Sequence, residues 1–177
     1  MIRIRQMHPY EVERIAEIDR TEHVTTGYVY EAGELRAEPV DWQVPRWPME
    51  GSEFSVAAHI AGIAPILRDG GVMLGAFDGE TLVGFAVLRC RLEEGTAELA
   101  ALFVSNHYRR RRIATRLTER VVSLAEADGA RRLYVSATPS ESAVGFYISQ
   151  GFRVTDDVNE ELYALEPDDI HMIRRLS

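Results

Sequence analysis

Between residues 72 and 104 the chain runs through three apolar stretches, Val72 to Phe77, Leu82 to Leu92 and Thr96 to Val104. Short turns at Asp78-Gly79 and Glu93-Glu94-Gly95 separate them. Turns this short leave no room for a crossover, so the three strands must run antiparallel as a meander. An amphipathic helix follows: Ile113, Leu117, Val121 and Leu124 recur at spacings of four, four and three, and Gly129 ends the pattern. The buried strand Arg132 to Ser136 comes next. A meander, then a helix, then another strand specifies a mixed α/β sheet whose later half returns through a strand–helix–strand crossover.

The flanking segments extend that sheet. Ile2, Ile4 and Gln6 alternate with Arg3 and Arg5, as an edge strand does, and His8-Pro9 opens a helix continued at helical spacing by Val12, Ile15 and Ile18 or Asp19. Tyr28, Val29 and Tyr30 before Ala32-Gly33, with Leu35 to Val44 after it, predict a β-hairpin that brings Tyr28, Tyr30, Trp42 and Trp47 together and ends at Pro45 and Pro48. Ser52 is the expected cap of a helix with Val56, Ile60, Ile63 and Leu67 on one face, which Pro65 should kink or end early and Gly70-Gly71 stops. Thr138-Pro139-Ser140-Glu141 has the composition of a capping box opening a helix through Tyr147 to Gly151. Phe152 to Thr155, Leu162 to Leu165 and Ile170 to Arg175 are the expected closing strands.

With 177 residues, 46% of them hydrophobic, the chain can bury one core, and it shows neither an internal repeat nor a linker. The expectation is one domain over residues 1–177. Cys90 is alone and cannot form an internal disulfide, and the five histidines show no metal-ligand spacing, so no metal site is expected. Met1 to Gln6 is not a secretory signal, and the longest apolar run, Leu99 to Val104, has six residues where a span needs about 20. A cytoplasmic protein away from membranes is the expectation.

Net charge is −8, which disfavours nucleic acid as a partner. All 20 basic residues are Arg, the composition a GC-rich genome produces. Their placement is uneven. From His107 to Arg132 the local charge is +5, leaving −13 on the remainder. Within that island, Val104 to Leu117 joins a strand end, a short loop with Arg109, Arg110, Arg111 and Arg112, and a helix start. The first amides of a helix lack internal partners and sit at the positive end of its dipole, so this geometry suits a phosphate or diphosphate. The alternative is a solvated basic turn.

The run Arg109-x-x-Arg112-x-Ala114 and the segment Ser142-Ala143-Val144-Gly145-Phe146-Tyr147-Ile148-Ser149-Gln150-Gly151-Phe152 resemble two motifs of the GNAT superfamily of acetyl-CoA-dependent N-acetyltransferases: a Q/R-x-x-G-x-G/A loop and an A-x-x-F/L-Y-x-x-x-G-F signature. The resemblance covers about Val72 to Phe152. It implies a central mixed sheet of six to seven strands flanked by about four helices, here with the extra hairpin between the first two helices. Residues 1–70 would supply the acceptor side, and 71–177 the cofactor-binding core and closing strands. Arg112 stands where the family has Gly, and a helix start is not expected to need Gly for its φ angle.

The resemblance implies acetyl-CoA as cosubstrate and direct attack by an amine, without an acyl-enzyme. It places the cofactor against Leu102, Phe103, Val104, Arg109 to Arg112, Ile113, Ala114, Thr115, Ser140, Ala143 and Tyr147. An alkylammonium with a pKa near ~10.4 must lose a proton before attacking; Glu98 occupies a position that holds the general base in some members, and a rim charge is the alternative. Main-chain amides at Phe103 or Val104 would meet the developing oxyanion. Tyr147 stands where the family places a hydroxyl donor to the leaving thiolate, and core packing beside Phe146 is the alternative. Ser140 replaces an Asn that contacts the cofactor in many relatives. Tyr28, Trp42 and Trp47, among Glu22, Glu31, Glu34, Glu38 and Asp41, could offer an acidic aromatic mouth to a small cationic amine, or could pack a core or a dimer interface. Many relatives dimerise. The competing function is a non-catalytic acyl-CoA-binding or regulatory domain of the same fold.

Overall fold

The computed structural model describes residues 1–48 and 50–177. Its centre is a seven-stranded sheet in the order β1-β4-β5-β6-β7-β9-β8, built from β1 (Ile2–Gln6), β4 (Val72–Asp78), β5 (Thr81–Glu93), β6 (Thr96–Val104), β7 (Arg132–Ala137), β8 (Arg153–Val154) and β9 (Ile170–Arg175). The meander is present as expected, with β4, β5 and β6 antiparallel and β1 on the outer edge of β4. The hairpin β2 (Glu22–Glu31) and β3 (Glu34–Val44) forms a separate two-stranded sheet. Its Tyr28 N–H donates to the Pro139 carbonyl at 2.8 Å, and Gly27 bridges to Ser140.

Among the described residues four α-helices flank the sheet: α1 (Val56–Arg68), α2 (Ile113–Ala127), α3 (Glu141–Ser149) and α4 (Glu160–Leu165). On one side of the sheet Ile113, Leu117 and Val121 of α2 and Val144 of α3 pack with Ala97, Leu99, Leu133 and Val135. On the other, Val56 and Ile63 of α1 and Val12 and Ile15 of the segment Pro9–Glu17 pack with Met73, Phe77, Phe85 and Val87. Among the described residues no helix is long and apolar enough to cross a membrane.

Five local expectations are corrected. Pro9–Glu17 is 3-10 rather than α-helical. The cap of α1 is Ser55, whose hydroxyl accepts from the Ala58 N–H, not Ser52, and Pro65 does not end the helix; Pro65 and Ala61 are both exposed, so water can reach the carbonyl that the missing N–H leaves unbonded. Ser140 rather than Thr138 caps α3. Leu162 to Leu165 is helical, not a strand: Asn159 caps it from the Leu162 N–H, and Leu162 is its only buried residue.

Candidate active site

The parallel pair β6/β7 is short. Only Thr96–Glu98 pair with Arg132–Tyr134, after which β6 continues alone to Val104 while β7 stays with β9. A register irregularity between Val87 and Leu88 bends β6 at this point. Beyond Glu98, alternate backbone groups of β6 point away from β5 into the widening gap. Ala100 to Val104 are half-buried there, so Leu102, Phe103 and Val104 lie where an extended amide-bearing chain could pair as an added strand.

The far end of β6 runs into the basic loop. Arg110 and Arg112 both have φ of 60°, in left-handed backbone. This overturns the expectation for Arg112: the loop does demand the conformation that glycine adopts without penalty. Arg109 before these two is extended, and the left-handed Arg112 leads straight into the right-handed first turn of α2, a backbone change that lets successive N–H groups face one anion. The first helical bond of α2 runs from Arg116 N–H to the Arg112 carbonyl at 3.0 Å, and no side chain caps the helix, which leaves the amides of Ile113, Ala114 and Thr115 directed outward. Of the four arginine side chains, Arg109 is already engaged, with Nε 3.3 Å from the Val104 carbonyl and Nη1 3.2 Å from Glu22. Arg111 lies over the Tyr108 ring, 5.0 Å from its centroid; Arg110, Arg111 and Arg112 are exposed.

Glu98 sits at the apex of the gap and is only 6% exposed. By alternation it faces the α1 side, opposite Ala97 and Leu99. Its Oε2 has no hydrogen-bond partner among the described residues; Arg89 Nη1, from the register-paired position on β5, lies 3.6 Å away. Burial pushes its carboxyl up to about 7, against the opposing pull of Arg89. Its partner across the parallel pair is Tyr134, whose hydroxyl accepts from the Asn159 N–H at 3.1 Å and lies 2.7 Å from His171 Nδ1. Tyr134 therefore donates to a neutral His171, whose Nε2 is 3.3 Å from the Glu166 carbonyl. Burial lowers the pKa of His171, in keeping with that neutral form.

Tyr147 is buried against Phe146 and Phe152, with ring centroids at 5.4 and 5.3 Å. Burial first, and the charge of Asp169 second, hold its phenol well above the ordinary value, so it stays protonated. Ser140 caps α3. Its hydroxyl accepts from the Ala143 N–H at 3.2 Å, and both residues are thereby tied into the start of α3.

The three aromatics expected to form one mouth are not brought together. Tyr28 packs beside the α2–α3 core and Trp42 is exposed on the hairpin. Trp47 lies outside the hairpin, buried on the α1 side against His59 and Phe103 at centroid distances of 4.6 and 5.1 Å. Through Phe103, Trp47 adjoins the half of β6 that borders the gap.

Several residues on this face were not singled out from sequence. Ser136 donates to Asp169 at 3.0 Å, and burial, with Glu166 next, raises the Asp169 carboxyl to about 6. Arg89 makes two hydrogen bonds to Glu161 of α4, at 3.0 and 3.3 Å. The one signal available was the polar alternation Tyr134, Ser136 in a strand otherwise apolar after Arg132.

Comparison with known proteins agrees with this geometry. The profile described as "Acetyltransferase (GNAT) family" matches residues 36–152. The chain belongs to the GNAT acetyltransferase family. No curated protein sequence matches significantly. Among solved structures, a nourseothricin acetyltransferase is similar with a TM-score of 0.73 at 18% identity, each chain covered to 99%. A putative streptothricin acetyltransferase from Bacillus anthracis str. Ames, in complex with acetyl coenzyme A, gives 0.72 at 16% identity, covering 100% of this chain and 99% of that one. A PaiA N-acetyltransferase from Thermoplasma acidophilum, in complex with coenzyme A, gives 0.63 at 18% identity, with 99% of each chain covered. As an acetyltransferase of this family the protein uses acetyl-CoA as cosubstrate, and the open strand β6, the uncapped α2 and the protonated Tyr147 hydroxyl fit a ligand carrying amides, a diphosphate and a thioester.

Proposed function

We propose that the protein transfers the acetyl group of acetyl-CoA to the primary amine of a small molecule by direct attack, as one domain over residues 1–177 in which residues 1–70 frame the acceptor side. Acetyl-CoA supplies the activated acyl group and a thiolate leaving group. The amides of Ile113, Ala114 and Thr115 and the side chains of Arg110, Arg111 and Arg112 hold its diphosphate end, and Leu102, Phe103 and Val104 offer backbone partners to its extended arm. Glu98 takes the proton of the acceptor ammonium, directly or through water, and Tyr147 gives one to the departing sulfur. Trp47, His59 and Phe103 wall the side from which the amine arrives.

The observation that carries this reading is the Glu98 carboxylate at the apex of the gap, buried, without a hydrogen bond to Oε2, and titrating close to neutrality at about 7. A carboxylate poised there is available to remove a proton at physiological pH. Calorimetry with acetyl-CoA should give saturable binding. Thiol release across an amine panel should then fall by roughly 10²- to 10⁴-fold in Glu98→Gln and measurably in Tyr147→Phe, with acetyl-CoA binding retained in both.

The second reading, a domain that binds acyl-CoA without turning it over, draws on Arg109 being tied to Glu22 and Val104 rather than free for phosphate. Binding without thiol release for any amine would decide in its favour.

A further inference from the structure

The buried carboxylate at the apex of the gap and the short helix above it are joined through one arginine. Arg89 is register-paired with Glu98 on the neighbouring strand, yet its guanidinium does not hydrogen-bond that buried oxygen. Both of its terminal nitrogens are instead committed to Glu161, Nη1 to Oε1 at 3.0 Å and Nη2 to Oε2 at 3.3 Å, while Nη1 stops 3.6 Å short of Glu98 Oε2. A two-bond fork of this kind fixes the plane of the guanidinium as well as its position. An exposed carboxylate thus fixes the cation 3.6 Å from a buried one, near enough to pair with it in charge and too far to hydrogen-bond it.

We propose that Glu161 and Arg89 are positioning residues for catalysis: the Glu161 fork keeps Arg89 short of a hydrogen bond to Glu98, so that no such bond locks the Glu98 carboxylate in its ionised form when the proton of the incoming amine arrives. The inference rests on Glu98 being the base. Were Arg89 to close the last fraction of an ångström onto Glu98, a charge-assisted hydrogen bond would stabilise the ionised form of the carboxylate that has to receive the proton. Glu161 prevents this in two ways, by competing for the guanidinium and by adding a second negative charge nearby. The other groups on this face are accounted for. Tyr134, opposite Glu98 on β7, spends its proton on His171 of β9, and His171 is neutral. On α4, Glu161 is the acid that touches Arg89, and Glu93 at the end of β5 pairs with Arg132.

Two substitutions with opposite signs test the arrangement. Glu161→Gln releases Arg89 onto Glu98, and the titration of Glu98 should move down by on the order of one pH unit, with a lower rate of thiol release at saturating amine. Arg89→Gln removes the cation, and the titration should move up by a similar amount, with activity at pH 7 recovered at higher pH. Glu161→Asp, which loosens the fork without removing the charge, should give a smaller downward shift. Both the acid limb of kcat/KM and the side-chain carboxyl resonance of Glu98 in free, 13C-glutamate-labelled protein report the position, so the second readout is independent of any acceptor. A purely structural role for the fork would lower Tm and leave both readouts in place. Shifts of the same sign in Glu161→Gln and Arg89→Gln, or none in Glu161→Gln, overturn the proposal while leaving the base intact. Loss of the acid limb in Glu98→Gln supports the base on which the inference stands, and an acid limb that survives Glu98→Gln removes that base and the inference with it.

Discussion

Arg110 and Arg112 hold backbone that L-residues avoid, at φ of 60° in both. The clash of Cβ with the following carbonyl costs roughly 1–2 kcal/mol per residue, part of which glycine would return to its greater freedom in the unfolded chain. Arg112→Gly should therefore raise stability by ~1 kcal/mol and Tm by about 2–4 °C, read from thermal unfolding at fixed ionic strength. An unchanged or lower Tm would contradict the strain. Glu98 makes a second residue-scale prediction through linkage. Its folded-state carboxyl lies at about 7, above the ordinary value of 4.5, so the folded state binds the extra proton between those values and loses stability as pH rises through 7. Comparing wild type with Glu98→Gln by urea unfolding, the difference should shift in favour of the variant by on the order of 3 kcal/mol between pH 4 and pH 8. A constant difference would place Glu98 in water. Glu98 and Tyr147 were legible as candidates because each sits at a fixed spacing from a local landmark, Val104 and Gly151. The Arg89–Glu161 fork was not, because its partners lie 72 residues apart and no local pattern joins them.

Elements defined by alternation and glycine turns were read to within a residue or two, since the pattern that marks β4, β5 and β6 is the same burial that stabilises them. Short elements escaped. The six residues of α4 bury only Leu162, so no periodicity distinguishes that helix from a strand, and what holds it is the Asn159 cap and the Arg89–Glu161 pair. The hairpin was legible as a hairpin but not in its place, because its seat on α3 consists of main-chain groups. Gly27 is the residue that permits the seat: a Cβ there would stand 3.0 Å from Trp42 Cη2, 3.0 Å from Val40 Cγ1 and 3.3 Å from the Pro139 carbonyl oxygen. The first two can swing away and the third is backbone. Gly27→Val, which adds two methyls beyond that Cβ, should cost about 1–3 kcal/mol in urea unfolding with an unchanged m-value, and should weaken acetyl-CoA binding through the displaced Ser140 cap. Full wild-type stability would mean that the hairpin does not rest on α3.

Across the whole molecule charge is segregated: +5 between His107 and Arg132 against −13 on the rest of the chain. Half of the eight arginines in that stretch, Arg109 to Arg112, lie at the start of α2 at the outer end of β6. The acidic part includes Glu161, Glu166 and Asp169, which lie on the α1 side of the sheet or in the loop leading into β9. On the proposed reading the two substrates carry opposite charges, a polyphosphate and an ammonium, and each approaches the end of opposite sign, so one sheet separates two fields that would cancel if mixed. Fields of this kind raise encounter rates and are screened within about 10 Å at 0.1 M salt. Raising sodium chloride from 50 to 500 mM should therefore weaken acetyl-CoA binding by roughly tenfold in calorimetry. Arg111→Gln should lower both the affinity at low salt and the steepness of that dependence, because it removes one exposed cation without altering backbone geometry. The KM of a cationic amine should rise with salt too, and that of a neutral amine analogue should not. Acetyl-CoA affinity indifferent to salt would show that the amides of α2, and not the arginines beside them, supply the grip on the diphosphate.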